Sequence, residues 1–198
     1  MSTAANPVGL LLAAGYARRF GGDKLLAPLP DGTPLAVASM RRLREGLRRT
    51  FGEGAAVLAV VRPEQDALAT LLEAEGVRVL RADAARRGMG ASLAAAVTAT
   101  SDAAGWVVAL ADMPFIAAAT VEAVAHALKD GSRIVAPTVA GQRGHPVGFP
   151  AALGDALRAL DGDEGARHLI AQNGVRLIAC EDAGALRDVD VPGDLAAG

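Results

Sequence analysis

Residues 8–24 read VGLLLAAGYARRFGGDK, an aliphatic run followed directly by glycines and basic side chains. The run 8–13 contains no polar side chain, which is typical of a strand buried on both faces. Glycine lets the backbone turn sharply and bring N–H groups close to an anion, while Arg18, Arg19 and Lys24 add donors and charge for phosphate oxygens. Because this loop follows the first strand, it predicts a phosphate or nucleotide site. A basic surface loop without a ligand is the alternative.

The rest of the chain alternates between short apolar runs and longer segments of helical period. Such strands, separated by helices, favour one mainly parallel sheet with helices on both faces, a three-layer α/β/α fold. The composition does not change along the chain, so a single domain over 1–198 is expected. Further predicted strands are 55–61, 77–81, 106–110, 133–137 and 175–180, and predicted helices are 35–49, 63–75, 91–100, 120–129, 151–160 and 164–172.

Composition excludes several classes of function. The net charge is -2 and only 3% of residues are aromatic, which argues against nucleic-acid binding. Cys180 is the only cysteine, so a multi-cysteine metal site is excluded. The apolar runs are too short for a membrane span, and residues 1–7 do not resemble a signal peptide, so a cytoplasmic enzyme is expected. The first loop matches neither G-x-x-x-x-G-K-[ST] nor G-x-G-x-x-G, which disfavours kinase-like and dinucleotide-dependent oxidoreductase functions.

Aspartates stand where a parallel sheet places ligands, beyond the carboxyl ends of its strands. Asp112 follows the strand 106–110 and precedes Pro114, too far from the next helix to be a simple N-cap. Asp188 and Asp190 alternate with valines, so in an extended segment both carboxylates would point the same way. Mg²⁺ prefers carboxylate oxygens together with substrate phosphates. The position of Asp112 therefore predicts a metal site, whereas Asp188 and Asp190 could also belong to a solvated tail.

Three further segments have a structural explanation beside a functional one. Gly88, Met89 and Ser92 stand at the start of a helix, where exposed N–H groups bind anions or base edges, although a plain helix cap explains them equally well. His145 could be a base, a ligand or a structural residue, and no second His or Cys lies at zinc spacing. Residues 162–167 could form a turn before a helix.

Together these segments resemble the nucleotidyltransferases of the sugar-nucleotide and molybdenum-cofactor type, and in particular the molybdenum-cofactor cytidylyltransferase branch. Five similar segments in the same order are far more specific than any one of them. The similar strings are L-x-A-A-G-x-x-x-R-F-G-x-x-K over 11–24, G-M-G-A-S-L over 88–93, D-M-P over 112–114, G-H-P-V-G-F over 144–149 and D-V-D-V-P-G-D-L over 188–195. Residues 162–167, G-D-E-G-A-R, are similar as well. The chain departs from the pattern at Gly90, where serine is usual, and at Val191, where threonine is usual.

The resemblance implies a role for each of these residues and a Rossmann-like nucleotidyltransferase fold. Asp112 and Asp190, with Asp188 as a further candidate, would hold Mg²⁺ or Mn²⁺. Residues 144–149 would line the second-substrate side, and Arg167 would contact that substrate's phosphate. Lys24 would neutralise charge near the α-phosphate and Arg19 would meet the β- and γ-phosphates, which makes Lys24, Arg19 and Asp112 the catalytic set. The nucleotide would be contacted by Ala13, Ala14, Gly15, Arg19, Lys24, Gly88, Met89 and Ser92.

The implied activity is transfer of CMP from CTP to the terminal phosphate of molybdenum-bound molybdopterin, with release of pyrophosphate. The alternatives are guanylyl transfer, nucleotidyl transfer to a sugar phosphate or phospholactate, and a catalytically idle cofactor-binding chaperone. CTP and a molybdopterin-type phosphate would be the substrates. A molybdenum hydroxylase or its maturation chaperone is a candidate partner.

Overall fold

The computed structural model describes residues 6–16, 20–131 and 133–196, and these residues form one eight-stranded sheet between two layers of helices. The strands are β1 Val8–Leu12, β2 Val57–Val61, β3 Arg78–Arg81, β4 Gly105–Leu110, β5 Val135–Val139, β6 Gln142–Arg143, β7 Val147–Pro150 and β8 Arg176–Ala179. The helices are α1 Leu35–Phe51, α2 Asp66–Ala74, α3 Met89–Thr98, α4 Ala118–Leu128, α5 Gly154–Arg158 and α6 Arg167–Asn173. Short 3-10 turns join several of these elements.

The sheet is mostly parallel. Its order is β3-β2-β1-β4-β7-β5-β6, and β8 pairs with β5. β1 pairs in parallel with β2 and β4, β2 with β3, and β5 with β8. β7 runs antiparallel to both β4 and β5. The predicted three-layer α/β fold with a mainly parallel sheet is therefore confirmed.

Two apolar cores lie on opposite faces of the sheet, because successive strand residues point to opposite sides. Leu11, Ala59 and Val107 face α1, α2 and α4, and all three are fully buried. Leu10, Val60 and Trp106 face α3, α5 and α6 and are buried to the same degree. Burial on both faces explains why β1, β2 and β4 have almost no polar residues. The carboxyl ends of these three strands therefore lie between two packed helical layers.

Element boundaries differ from the sequence predictions at a few informative places. The predicted helix 63–75 begins only at Asp66, because the Gln65 side chain accepts the backbone N–H of Arg62 across the preceding turn at 2.8 Å. The predicted helix 164–172 begins at Arg167, since Gly165 takes a left-handed conformation with φ +59°. Within 151–160, a 3-10 turn precedes the short α5. The segment 142–150, to which the sequence pattern assigns no element, contains β6 and β7.

The end of the chain returns across the carboxyl edge of the sheet. Asp182 accepts the N–H of Ala117 at 2.8 Å and the hydroxyl of Thr120 at 2.6 Å, so Asp182, not Asp112, caps α4. Farther along, the buried Val189 donates its N–H to the carbonyl oxygen of Asp112 at 2.9 Å. These contacts bring the terminal aspartates beside the end of β4. No helix within the described ranges is long and apolar enough to cross a membrane.

Candidate active site

A cavity of about 250 Å³ opens at the carboxyl ends of β1 and β4. It collects residues from segments that are far apart in the sequence, including the glycine loop after β1 and the start of α3. Its lining residues are Leu12, Ala14, Gly15, Tyr16, Lys24, Leu25, Ala85, Gly88, Met89, Ser92, Leu110, Asp112, Asp163 and Asp190. Most of the predicted nucleotide and metal residues thus surround one cavity.

Three carboxylates meet at one side of this cavity. Asp112, Asp188 and Asp190 each offer one oxygen, and these oxygens lie within 4.8 Å of one another. The alternation of Asp188 and Asp190 with valine therefore does bring both carboxylates to one place. Asp194 accepts the N–H groups of Asp190 and Val191 at 2.8 and 2.9 Å. These two bonds hold the pKa of the Asp194 carboxyl below its ordinary value and fix the backbone that carries Asp190. Asp194 thus stabilises the conformation of the segment that carries Asp190.

Lys24 lies beside these carboxylates. Its residue is 8% exposed, and its Nζ donates to Asp112 Oδ2 at 2.9 Å and lies 3.5 Å from Asp190 Oδ1. The three carboxylates and the ammonium group together leave a formal charge of −2. This oxygen-rich, doubly negative cluster has the donor chemistry that a divalent cation such as Mg²⁺ or Mn²⁺ requires.

Only some residues of the loop after β1 line the cavity. Ala14 and Gly15 line it, whereas Ala13 is 1% exposed and packs into the core on the α1 side of the sheet. Arg18 and Arg19 lie outside the residues that the structure describes, so the role predicted for Arg19 stays a prediction.

The start of α3 forms the opposite wall. Gly88, Met89 and Ser92 all line the cavity. Ser92 is 2% exposed, and its hydroxyl donates to the carbonyl oxygen of Gly88 at 2.9 Å, so this hydroxyl is used within the first turn of the helix. Met89 is 44% exposed and is the large apolar side chain available to a ligand here.

Gly90 is packed against the loop at residues 161–163. Its N–H donates to the carbonyl oxygen of Gly162 at 2.8 Å, and a Cβ at position 90 would lie 2.6 Å from the carbonyl oxygen of Asp161. That distance is too short for a real side chain, which explains why this chain has glycine where the similar sequences have serine. The contact also brings Asp163 to the cavity wall, a residue that sequence analysis did not assign to the site.

A second cavity of about 350 Å³ adjoins the first and shares Leu12, Met89, Leu110 and Asp163 with it. Apolar side chains of β4, β7 and α6 form much of its wall, and polar groups come from Arg143, His145, Glu164 and Arg167. The structure therefore places the predicted second-substrate residues in one cavity, next to the predicted nucleotide residues.

His145 is held between this second cavity and the end segment of the chain. Its backbone N–H donates to Ala185 at 2.8 Å, and its Nδ1 is buried without a hydrogen-bond partner among the described residues. Burial lowers the pKa of His145 to about 4, although the nearby Asp112 opposes this shift. The imidazole is therefore neutral at neutral pH and is a weak base.

Arg62 is a further residue that sequence analysis missed. It follows β2 directly, and its guanidinium donates to the backbone carbonyls of Ala14 and Gly15 and stacks on the ring of Tyr16. Arg62 follows a strand at the same edge of the sheet, and this position could have indicated that it belongs to the site. A single arginine in a turn, however, is too common to be a specific indication.

A mainly parallel sheet with a glycine loop, a lysine and clustered carboxylates at its carboxyl edge defines a nucleotide-dependent α/β enzyme. The model of the MobA-like NTP transferase domain matches residues 9–177, and the chain belongs to that family. It is a nucleotidyltransferase.

Several solved structures share the fold of this chain. Rv0371c from Mycobacterium tuberculosis H37Rv is 28% identical, with a TM-score of 0.80, over 97% of this chain and 96% of that one. A second structure of that protein is a complex with manganese, at 26% identity and a TM-score of 0.76 over 96% of each chain. The homologue from Mycobacterium sp. strain JC1 is 30% identical, with a TM-score of 0.71, over 94% of this chain and 91% of that one. Molybdopterin-guanine dinucleotide biosynthesis protein A from Archaeoglobus fulgidus shares the fold, at 20% identity and a TM-score of 0.69 over 94% of each chain. A search of curated proteins found no significant match.

Proposed function

We propose that this nucleotidyltransferase moves CMP from CTP to the terminal phosphate of molybdenum-bound molybdopterin, in the cytoplasm, and releases pyrophosphate. The observation that carries the proposal is the cluster of Lys24, Asp112, Asp188 and Asp190 at the wall of a cavity that adjoins a second one. Two substrates can then meet beside one group of charges. A molybdenum hydroxylase or its maturation chaperone is the candidate recipient of the product.

The reaction needs alignment and charge neutralisation more than proton transfer. An oxygen of the acceptor phosphate forms a bond to the α-phosphorus of CTP, while the bond from that phosphorus to the bridging oxygen breaks and pyrophosphate leaves with the electron pair. The attacking oxygen is already anionic, so no strong base is required. The depressed pKa of His145 is consistent with this scheme, because a neutral imidazole of pKa about 4 would be a poor base.

Lys24 is the cationic side chain proposed to act on the α-phosphate. Its ammonium group already lies between two carboxylates, so its position is restrained before substrate binds. Asp112, Asp190 and Asp188 would hold Mg²⁺ or Mn²⁺. The cation, when bound, supplies positive charge to the phosphate oxygens. The carboxylates in turn keep Lys24 at the phosphate side of the cavity.

Ala14 supports cytosine as the base. The residue is 6% exposed and lines the cavity. In the guanylyl branch of the similar enzymes the first loop resembles Leu-Ala-Gly-Gly, with glycine at this position. A pyrimidine needs less room than a purine, and one methyl group can account for about 10- to 200-fold discrimination.

The second cavity supports an acceptor that combines a flat ring system with an anionic group. Val147, Phe149 and Ile170 supply apolar surface, and Arg143 and Arg167 supply positive charge. Arginine pairs well with phosphate because its planar guanidinium can donate two parallel hydrogen bonds.

The deciding experiment offers CTP, GTP, ATP and UTP separately, with molybdenum-loaded molybdopterin as acceptor, and identifies the product by mass. We expect the cytosine dinucleotide together with stoichiometric pyrophosphate, and a kcat/KM for CTP at least tenfold above that for GTP. We expect Ala14→Gly to narrow this preference. Equal use of CTP and GTP would remove the cytidylyl assignment, and binding of nucleotide without turnover would indicate an idle chaperone.

A further inference from the structure

Arg62 makes an unusual set of contacts for a residue in a turn. Its side chain is only 12% exposed, although it carries a full charge at the edge of the sheet. Nη1 donates to the carbonyl oxygen of Ala14 and also to that of Gly15, the latter at 3.0 Å. The guanidinium carbon lies 4.2 Å from the centre of the Tyr16 ring, at cation–π distance. One side chain thus contacts three successive residues of the cavity-lining loop.

The other side of Arg62 is fixed as well. Its Nε donates to Glu64 Oε1 at 3.0 Å, and Glu64 Oε2 accepts from Arg86 Nη2 at 3.0 Å. Arg86 lies two residues before Gly88, the residue that precedes α3. Hydrogen bonds from Arg62 to the loop after β1 and the ion pairs Arg62–Glu64–Arg86 therefore join that loop to the segment that precedes the opposite wall of the cavity.

We propose that Arg62 is a positioning residue that holds residues 14–16, the part of the loop after β1 that lines the cavity, in their nucleotide-binding conformation. The two peptide bonds concerned are trans and planar, so each N–H points opposite to the carbonyl of the same peptide unit. With the Ala14 carbonyl turned toward Arg62, the N–H group of Gly15 points away from it, where it can donate to an anion. Arg62 also binds two carbonyl oxygens that would otherwise repel phosphate. This inference takes from the proposed function only that the cavity binds a nucleoside triphosphate.

The test compares Arg62→Gln and Arg62→Lys with Arg81→Gln. Arg81 is the matched control, because it pairs with Glu73 at 2.7 Å and does not line the cavity. We expect Arg62→Gln to raise both the Kd and the KM for the triphosphate by about tenfold or more, the loss typical of charged hydrogen bonds, with kcat within about twofold. Arg62→Lys keeps the positive charge but loses the planar guanidinium group and its stacking on Tyr16. Its KM should therefore lie between the KM of the wild type and that of Arg62→Gln. Arg81→Gln should leave Kd, KM and kcat unchanged.

Chemical rescue separates positioning from a general loss of structure. Methylguanidinium at millimolar concentration should lower the KM of Arg62→Ala and leave that of Lys24→Ala unaffected. An unchanged Kd in Arg62→Gln, or a loss of kcat without a change in KM, would overturn the proposal. If Arg62→Ala does not fold, the KM of Arg62→Lys is compared with that of the wild type instead. An unchanged KM would then overturn the proposal.

The experiment also separates this proposal from the proposed function. Unmodified protein is first titrated with CTP, GTP, ATP and UTP in the presence of Mg²⁺, and the triphosphate that binds becomes the probe. Binding of a triphosphate other than CTP, without binding of CTP, removes the cytidylyl assignment but leaves the Arg62 comparison intact. Binding of none of the four overturns both proposals.

Discussion

Asp112 accepts hydrogen bonds through both its side chain and its backbone. Its carboxylate accepts from Lys24, its carbonyl oxygen accepts from Val189, and it lies directly beyond β4. Its carboxylate is also the one member of the acidic cluster supplied by the body of the sheet, since the other two members come from the end of the chain. The residue therefore joins the sheet to the candidate metal site.

We expect Asp112→Asn to lower kcat by at least about 100-fold, because an amide cannot replace a carboxylate in holding a divalent cation against phosphate. The variant should unfold at nearly the wild-type temperature, since the amide can still accept from Lys24. Asp130→Asn is the control: this aspartate pairs with Arg176 on the surface and should keep full activity. Near-normal turnover of Asp112→Asn at saturating Mg²⁺ would disprove the metal role.

Lys24→Met should have opposite effects on catalysis and on metal affinity. Removing the ammonium group changes the formal charge of the cluster from −2 to −3, so Mg²⁺ should bind several-fold more tightly. The same change removes the cation proposed to act on the α-phosphate, so kcat should fall by roughly 10- to 100-fold. Calorimetric titration with Mg²⁺ and steady-state kinetics measure the two effects. A variant that lost metal affinity would show that Lys24 only supports the fold.

At the scale of elements, the start of α3 and the loop at 161–163 act as one unit. Gly90 donates to Gly162, and Arg87 pairs with Asp161 at 2.9 Å on the surface. This unit separates the first cavity from the second, because Met89 and Asp163 line both. A change at Gly90 should therefore affect both substrates.

We expect Gly90→Ser to destabilise the protein by about 1–3 kcal/mol, because the new Cβ would lie 2.6 Å from a carbonyl oxygen and must displace the loop. The KM values for nucleotide and acceptor should both rise. Gly54→Ser is the matched control, since position 54 has open space around it. Urea denaturation and steady-state kinetics test the pair, and equal stability of the two variants would show that the loop moves aside freely.

The sequence predicted the elements whose pattern is local. β1, β2 and β4 were found because burial on both faces leaves them without polar residues. β7 was missed because Gly148 and Pro150 break the pattern, and because its antiparallel pairing with β4 depends on long-range packing. Element boundaries differed where a side chain or a left-handed glycine delayed a helix.

The candidate site was predictable where residues directly follow strands. Asp112 was predicted from its place just beyond β4. The meeting of Asp112 with Lys24, Asp188 and Asp190 was implied by the resemblance and not by the positions of these residues, and the four groups do meet in the structure. Asp163 and Arg62 were missed because no local spacing indicates that they face the cavity. Ala13 was placed at the nucleotide, but the alternation of strand residues continues through it and directs its side chain into the core.

For the molecule as a whole, His145 links stability to pH. Its pKa is about 4 in the folded protein and near 6.5 in the unfolded chain, so below pH 6.5 the unfolded state binds the proton first. The contribution of this group to stability is complete above pH 6.5 and is lost progressively as the pH falls toward 4. Between pH 7 and pH 5 the free energy of unfolding should fall by roughly 1–2 kcal/mol through this group.

His145→Gln tests this expectation, because glutamine keeps a polar side chain but does not titrate. The free energy of unfolding is measured with urea at pH 7, 6 and 5 for both proteins. The variant should lose less stability over this interval than the wild type. Parallel curves for the two proteins would mean that the imidazole titrates normally in the folded state.

The return of the chain end to the sheet also orders events during synthesis. When translation has passed Ala179, all the strands that the structure describes have been made, but Asp188 and Asp190 have not. Domains begin to fold while the chain is still growing. A chain that ends after Arg187 should therefore bind a nucleoside triphosphate without consuming it, and turnover should begin only once the following segment has been made and has bound beside Asp112. Enzymatic activity would then report that translation of this segment is finished.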